Sequence, residues 1–355
     1  MPFGMRLEKI ELPHPTIFAT QPYLVQQGMT VRRSQDQLVL DSPKEAELRI
    51  PLRQVERVLV FGNVQITTPV ISACLETKIP IVFLTQMGEY KGHLWSAEAT
   101  NLTIQTAQFA RSQEKAFQLA MARSMVQAKL WNSKQFLLKL NRKRQLPDVV
   151  SAIAGLTQAI EAVGRSENSQ TLDQIRGYEG SGAARYFAAF SQLIVHPDFT
   201  FSLRVFHPPT DPVNSLLSFG YTLLLNNVFS FLLAEGLNPY LGNLHGAERQ
   251  KAYLAFDLME EFRSPIVDTL VMKLINQKIL QPTDFSWATE EGGIYLVEPA
   301  RRVFLKHFEE RISSATSHPD VQGQISYRRV IQLQVKRYVK AVLGNVGYQG
   351  FRRTI

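Results

Sequence analysis

His245 is the one histidine in a turn-rich stretch over residues 236–246, and the helix-like stretch that follows it carries Asp257, Glu260 and Glu261. Asp257 and Glu260 are three apart, so on a helix they share a face. Leu254, Phe256, Leu258, Met259 and Phe262 surround them, so these carboxylates border a core rather than a plain solvated surface. Burying a carboxylate is costly unless a cation or hydrogen-bond donors compensate it. A histidine with carboxylates is also a reasonable ligand set for a divalent metal. The plainer alternative makes Asp257 and Glu260 helix-surface acids paired with Lys251 and Arg263, the default for charges on an amphipathic helix, and His245 an ordinary loop histidine.

The elements that must position these groups fall into two blocks. From Tyr23 to Leu94, short β-rich runs alternate with turns: residues 23–25, 29–31, 37–40, 47–50 and 57–61, then 79–85 and a last strand ending near Leu94. Residues 68–77 read as one short helix among them. After residue 105 the period becomes helical. Helices are predicted over 109–140, 149–163, 172–194, 216–234, 255–279, 300–312 and 325–343, with a break at Pro147-Asp148 and a polar loop at 166–170. The predicted fold class is α+β: an N-terminal β-sandwich domain followed by a C-terminal all-helical catalytic domain. The predicted boundaries are an N-terminal extension over 1–21, the β-sandwich over 22–97 and the helical domain over 98–355, with the linker near 95–105.

Composition narrows the classes of function. A chain of 355 residues suffices for two ordinary domains. Thirty-nine basic against 31 acidic residues leave a net charge of +8, which favours a polyanionic partner. The single cysteine, Cys74, excludes an intramolecular disulfide framework and fits a reducing, cytoplasmic setting. The first residues contain no apolar run of the signal-peptide kind. The most apolar stretch, 216–233, is interrupted by Asn226 and Asn227 and reads as a buried helix, so no membrane association is expected.

Five separated motifs point further. They are Leu59-Val-Phe-Gly-Asn-Val-Gln-Ile-Thr-Thr68, Ala122-Arg-Ser-Met-Val-Gln-Ala-Lys-Leu-Trp-Asn132, Arg176-Gly-Tyr-Glu-Gly-Ser-Gly-Ala-Ala-Arg-Tyr-Phe187, Pro208-Pro-Thr-Asp-Pro-Val-Asn-Ser-Leu-Leu-Ser218 and the block from His245 to Arg263. In this order and at these separations the chain, from about Tyr23 onward, resembles the CRISPR-associated integrase family, the endonuclease-like subunit that inserts new spacers into CRISPR arrays. The resemblance implies a homodimer assembled through the β domains. It also implies a complex with a small ferredoxin-like CRISPR adaptation protein that bridges two such dimers. It further implies a metal site of Glu179, His245 and Glu260, with Asp257 as a nearby acid that helps bind metal or orient His245. The family often has aspartate where this chain has Glu260. Glu261 is the rival for that role, and the spacing from Asp257 favours Glu260. Glu179 would stand at the start of a helix through residues 183–187, where the dipole alone would favour an acid.

The implied chemistry needs these residue types. Attack on a phosphodiester builds charge on the non-bridging oxygens, and a divalent cation neutralises it and orients the attacking 3′-hydroxyl. Carboxylates hold hard cations; neutral imidazole tolerates Mn²⁺ well and Mg²⁺ less readily. The expected cofactor is therefore Mg²⁺ or Mn²⁺. The expected reaction is a transesterification joining prespacer 3′-OH ends to CRISPR repeat DNA. Two rivals stand beside it: a metal-dependent nuclease acting on branched or double-stranded DNA, and a basic DNA-binding scaffold whose acids are structural. Arg176, Arg185, Arg204, Arg249, Lys251, Arg263, Lys273, Arg328 and Arg329 are candidate phosphate contacts, and Tyr178, Tyr186 and Tyr240 could stack on frayed strand ends. His207 stands before Pro208-Pro209 where the family commonly has arginine.

Overall fold

Short runs rich in Val, Leu, Ile and Phe form the strands β1 (Ile17–Phe18), β2 (Gln21–Leu24), β3 (Thr30–Ser34), β4 (Gln37–Ser42), β5 (Glu45–Pro51), β6 (Val58–Phe61), β7 (Gln65–Ile66), β8 (Ile81–Leu84) and β9 (Tyr90–Leu94), with helix α1 (Thr68–Glu76) between β7 and β8. The computed structural model describes residues 17–18, 21–42, 45–86, 90–96, 101–165, 171–205, 208–245, 251–286, 292–344 and 346–354. Contacts divide the chain into two compact units, Met1–Trp95 and Ser96–Ile355.

In the first unit, one sheet has the order β1-β2-β6-β8-β9 and the other β5-β4-β3-β7. β2, β6 and β8 pair in parallel, with Tyr23 opposite Leu59 and Val60 opposite Phe83. Parallel strands are covered on both faces and read as continuous apolar runs rather than alternating ones. Accordingly, all four residues of β6 are buried. A single core takes Leu24, Val58, Val60 and Ile81 from the first sheet, Val31, Leu38, Leu40 and Ile50 from the second, and Val70, Ala73 and Cys74 from α1. Each such buried aliphatic side chain contributes about 1.5–3 kcal/mol of transfer free energy. Burial pushes the Cys74 thiol up to about 11, so it stays protonated and unreactive at neutral pH.

The second unit is built on α2 (Leu102–Ser112), α3 (Lys115–Asn141), α4 (Pro147–Gly164), α5 (Leu172–Gln192), α6 (Pro212–Ala234), α7 (Tyr253–Met259), α8 (Thr269–Asn276), α9 (Glu298–Ile312) and α10 (Tyr327–Val342). Three details depart from the helical periodicity. The helix predicted over 109–140 is two, because Glu114 is extended (φ −86°, ψ 107°) between α2 and α3. The helix predicted over 255–279 is interrupted by a π-helical turn, Arg263–Asp268, which contains Pro265. Proline removes a backbone donor and widens or breaks the turn it occupies. Two hairpins also appear in this unit, which is therefore mostly rather than entirely helical. β10 (Phe285–Ser286) pairs with β11 (Tyr295–Leu296), and β12 (Ala315–His318) with β13 (Val321–Ser326).

Helix α6 is long and apolar enough to cross a membrane by length and composition, yet 72% of its apolar window is buried in protein. Its Asn226 and Asn227 carboxamides donate back to the Thr222 and Leu223 carbonyls at 2.9 and 2.8 Å, while the buried Asn227 Oδ1 takes no partner. Helices α3, α4 and α5 pack on one another. Gly182 permits a close approach of α5 to α3, since a Cβ there would collide with Leu130. That approach seats Glu179, almost one turn earlier on α5, against Lys129 of α3.

Candidate metal centre

Glu179 and Glu260 come from different elements and meet at one cation, the ammonium of Lys129. Lys129 Nζ contacts Glu179 Oε1 and lies 2.7 Å from Glu260 Oε2. Arg263, three residues on and in the π-helical turn, holds the other oxygen of Glu260 at 2.9 Å. The Arg263 guanidinium is itself stacked on the Tyr221 ring, 4.6 Å from its centroid. Glu260 is only 4% exposed. Burial opposes its ionisation, but Arg263 and Lys129 outweigh that penalty and hold its carboxyl below the usual range. Burial likewise opposes the charge on Lys129, and Glu260 and Glu179 more than restore it.

His245 is positioned by Asp257. Its Nδ1 lies 2.5 Å from Asp257 Oδ1. The same buried carboxylate accepts the backbone N–H groups of Asn243 at 2.6 Å, Leu244 at 2.9 Å and His245 at 3.3 Å. Asp257 thus gathers the loop that carries the histidine onto the first turns of α7. Two other elements fix this loop. Arg176 of α5 donates through Nε to the Leu244 carbonyl at 2.7 Å, and the Asn243 carboxamide donates to the Tyr338 hydroxyl at 2.9 Å. A Cβ at Gly242 would collide with Tyr253, which is why the loop can lie so close to α7. The hydrogen bond to Asp257 raises the His245 pKa above its ordinary value, burial lowers it, and the charges of Asp257 and Glu260 add to the rise. With Nδ1 engaged by the carboxylate, Nε2 carries the free lone pair of the neutral ring, the arrangement found in carboxylate–histidine–metal units.

Glu261 faces elsewhere, because consecutive residues of a helical turn are rotated by about 100°. Its Oε1 accepts the Tyr348 hydroxyl at 2.5 Å, and Oε2 accepts the Phe351 N–H at 2.7 Å and Gln334 Nε2 at 2.9 Å. Burial pushes this carboxyl up to about 7 despite the three donors. Asn132 of α3 completes the clamp, donating to the carbonyls of Glu261 and Phe351, both at 2.8 Å. Glu261 therefore fastens the C-terminal segment to α3 and α10.

The structure thus brings Glu179 and Glu260 together, with His245 beside them and Asp257 behind it. Among the described residues no group of three or more histidine, cysteine, aspartate or glutamate side chains is placed to hold a metal ion, and Lys129 lies between the two carboxylates. The donor set nonetheless fits a hard divalent cation. Two carboxylates already share one positive charge, and the buried Glu260 Oε2 takes no hydrogen bond of regular geometry beyond that ammonium. Glu179 lies within α5, whose start is capped by Thr171 and Gln174, rather than at a helix start.

Several other expectations are revised. Among the proposed phosphate contacts, Arg204 is tied to Asn214 and Ser218, Arg328 is paired with buried Glu309, and Arg176 and Arg263 serve the site internally. Tyr186 is buried and donates to Asp268 at 2.6 Å, so it cannot stack on a strand end. Tyr240 is exposed. His207 and Arg249 lie outside the described residues. The residue that reading the sequence missed is Lys129. Its one local signal was a cation flanked by Val126, Ala128 and Leu130 on a helix that also carries Lys115, Arg123, Lys134 and Lys139.

Fold and site together define a two-part α+β protein with an acidic, cation-centred cluster in its helical unit. Comparison with known proteins gives that class its family. Residues 22–310 match the family model described as CRISPR associated protein Cas1, so the chain belongs to the Cas1 family. A protein of Thermus thermophilus named CRISPR-associated endonuclease Cas1 1 is 34% identical over 333 residues, covering 93% of this chain and 98% of that one. A Cas4/Cas1 exonuclease–endonuclease fusion of Geobacter sulfurreducens is 33% identical over 322 residues, covering 89% of this chain and 57% of that one. Among solved structures, a CAS1 protein from Thermotoga maritima superposes with a TM-score of 0.78 at 23% identity, covering 94% of this chain and 99% of that one. A casposase bound to integration product also gives 0.78 at 23% identity, covering 93% and 92%. At these identities the two structures establish the shared fold.

Proposed function

We propose that this Cas1-family chain is a metal-dependent DNA integrase of CRISPR spacer acquisition, joining prespacer 3′-OH ends to CRISPR repeat DNA by transesterification. The observation that carries the reading is the convergence of Glu179 and Glu260 on one cation position, beside a histidine whose ring is held by Asp257. Glu179, His245 and Glu260 would hold Mg²⁺ or Mn²⁺. When bound, such a cation supplies charge neutralisation at the phosphodiester and orients the attacking hydroxyl. The chain's own residues do the rest. Asp257 fixes the histidine tautomer through Nδ1 and aims Nε2. Arg263 keeps Glu260 ionised in a buried setting. Exposed Lys251 and Lys273, with the +8 surplus, would grip the DNA backbone without reading its sequence.

Further support comes from the relatives' names: the curated ones are called endonucleases, and one structural neighbour is a casposase bound to integration product. Another is a Cas6-RT-Cas1–Cas2 complex. The proposed assembly is a homodimer formed through the β-sandwich units, joined by a small ferredoxin-like adaptation protein, acting in the cytoplasm. The relatives' endonuclease names favour a second reading, hydrolysis at the same site with water as nucleophile. A strand-transfer assay separates the two. Supercoiled plasmid carrying a repeat is incubated with labelled prespacer, the small partner and Mn²⁺, with His245→Ala and EDTA controls. Label joined to plasmid by the wild type alone is the expected outcome; cleavage without joining would overturn integration in favour of hydrolysis.

A further inference from the structure

Lys129 stands where a cation shared by the two carboxylates would stand. It contacts Glu179 and lies 2.7 Å from Glu260, with its side chain only 14% exposed. Two cationic side chains, Lys129 and Arg263, already stand against the Glu179 and Glu260 carboxylates. A divalent cation added to that set would meet two positive charges already in place, and mutual repulsion in a partly buried site is strong. Of the two, Arg263 is fixed by its stacking on Tyr221 and its bond to Glu260. Lys129 ends in a point charge on a flexible four-carbon stem.

We propose that Lys129 is a built-in counter-cation of the Glu179–Glu260 pair, displaced from it when a divalent cation binds. The inference rests on the metal-site reading above and adds a regulatory element to it. In the metal-free chain Lys129 stands between the two carboxylates, so the ligands are in place but guarded. Cation binding exchanges one charge partner for another.

The test is Mn²⁺ binding to the full chain at pH 7.5, by titration calorimetry and by the EPR signal of free Mn²⁺, for wild type, Lys129→Met and Glu260→Gln. Lys129→Met should bind Mn²⁺ roughly tenfold or more tightly than wild type, the size of effect a removed neighbouring charge produces. Its melting temperature without metal should fall, and added Mn²⁺ should raise it by more than it raises the wild type. Should Lys129→Met aggregate without metal, recovery of folded protein on refolding with Mn²⁺ supports the proposal, and failure with and without Mn²⁺ overturns it. Wild-type binding that Lys129→Met leaves unchanged or weakens overturns the counter-cation role alone. Equal, weak binding by wild type and Glu260→Gln overturns the metal-site reading and this inference together.

Discussion

Glu260 and Glu261 are neighbours in sequence, both carboxylates and both buried, yet their surroundings differ in kind. Glu260 is surrounded by cations, Lys129 and Arg263, and stays below the usual carboxylate range. Glu261 is surrounded by neutral donors, Tyr348, Gln334 and the Phe351 N–H, and is pushed up to about 7. Neutral donors favour the ionised form but too weakly here to offset burial, which raises this carboxyl. Full cations match the charge and keep the oxygens ionised. An ionised, cation-matched carboxylate is what a metal site needs, whereas a donor-satisfied one is a structural rivet. One residue's rotation along the chain just after α7 separates the two roles.

The comparison can be broken most forcefully by activity. Glu260→Gln should reduce strand transfer by about a thousandfold or more, since metal-assisted charge stabilisation contributes several kcal/mol to the barrier. Glu261→Gln should leave the rate per folded molecule within a few-fold of wild type. Rates measured on equal amounts of folded protein check both. Stability should show the opposite order. Glu261→Ala leaves three buried donors without an acceptor, and we expect a loss of about 3 kcal/mol in denaturant unfolding, with Glu261→Gln costing less than half of that. Asp257→Asn should weaken Mn²⁺ binding about 10–100-fold, as removal of a ligand-orienting carboxylate generally does. Calorimetric titration reads it directly.

The smallest effect belongs to an exposed carboxylate. Asp320 is held by Arg337, whose hydrogen bonds depress its pKa, but its side chain is 41% exposed. A depressed folded-state pKa gives stability that is present above the ordinary carboxylate value and is lost as pH falls through the folded one. At this exposure the pair contributes no more than about 1 kcal/mol. Asp320→Asn should therefore melt slightly below wild type at neutral pH, and the difference should close as the pH falls from about 5 toward 3.

Much of this was legible in the sequence. The β runs and the helical block are strong periodic signals, and the apolar neighbours of Asp257 and Glu260 already placed those acids beside a core. What was hidden has identifiable causes. The β12–β13 hairpin is made of Ala315-Thr-Ser-His and Val321-Gln-Gly-Gln-Ile-Ser, with no apolar alternation to announce it. The break at Glu114 has no proline or glycine to mark it. The π-helical turn was signalled by Pro265, which a helix running to residue 279 had to ignore. Lys129 lies 50 residues from Glu179 and 131 from Glu260, and no local pattern reports a partner at such distance. The spacing from Asp257 favoured Glu260 over Glu261, but only the packing of α3, α10 and the C-terminal segment shows what each carboxylate touches.

The most direct test of the central claim is anomalous diffraction from crystals of the full chain soaked in Mn²⁺. The account predicts one strong peak bounded by Glu179, His245 Nε2 and Glu260, with the Lys129 ammonium moved off the carboxylates and Glu261 still bonded to Tyr348 and Phe351. A peak at Glu261, or no peak at Glu260 with Lys129 still bridging the two carboxylates at saturating Mn²⁺, would contradict it.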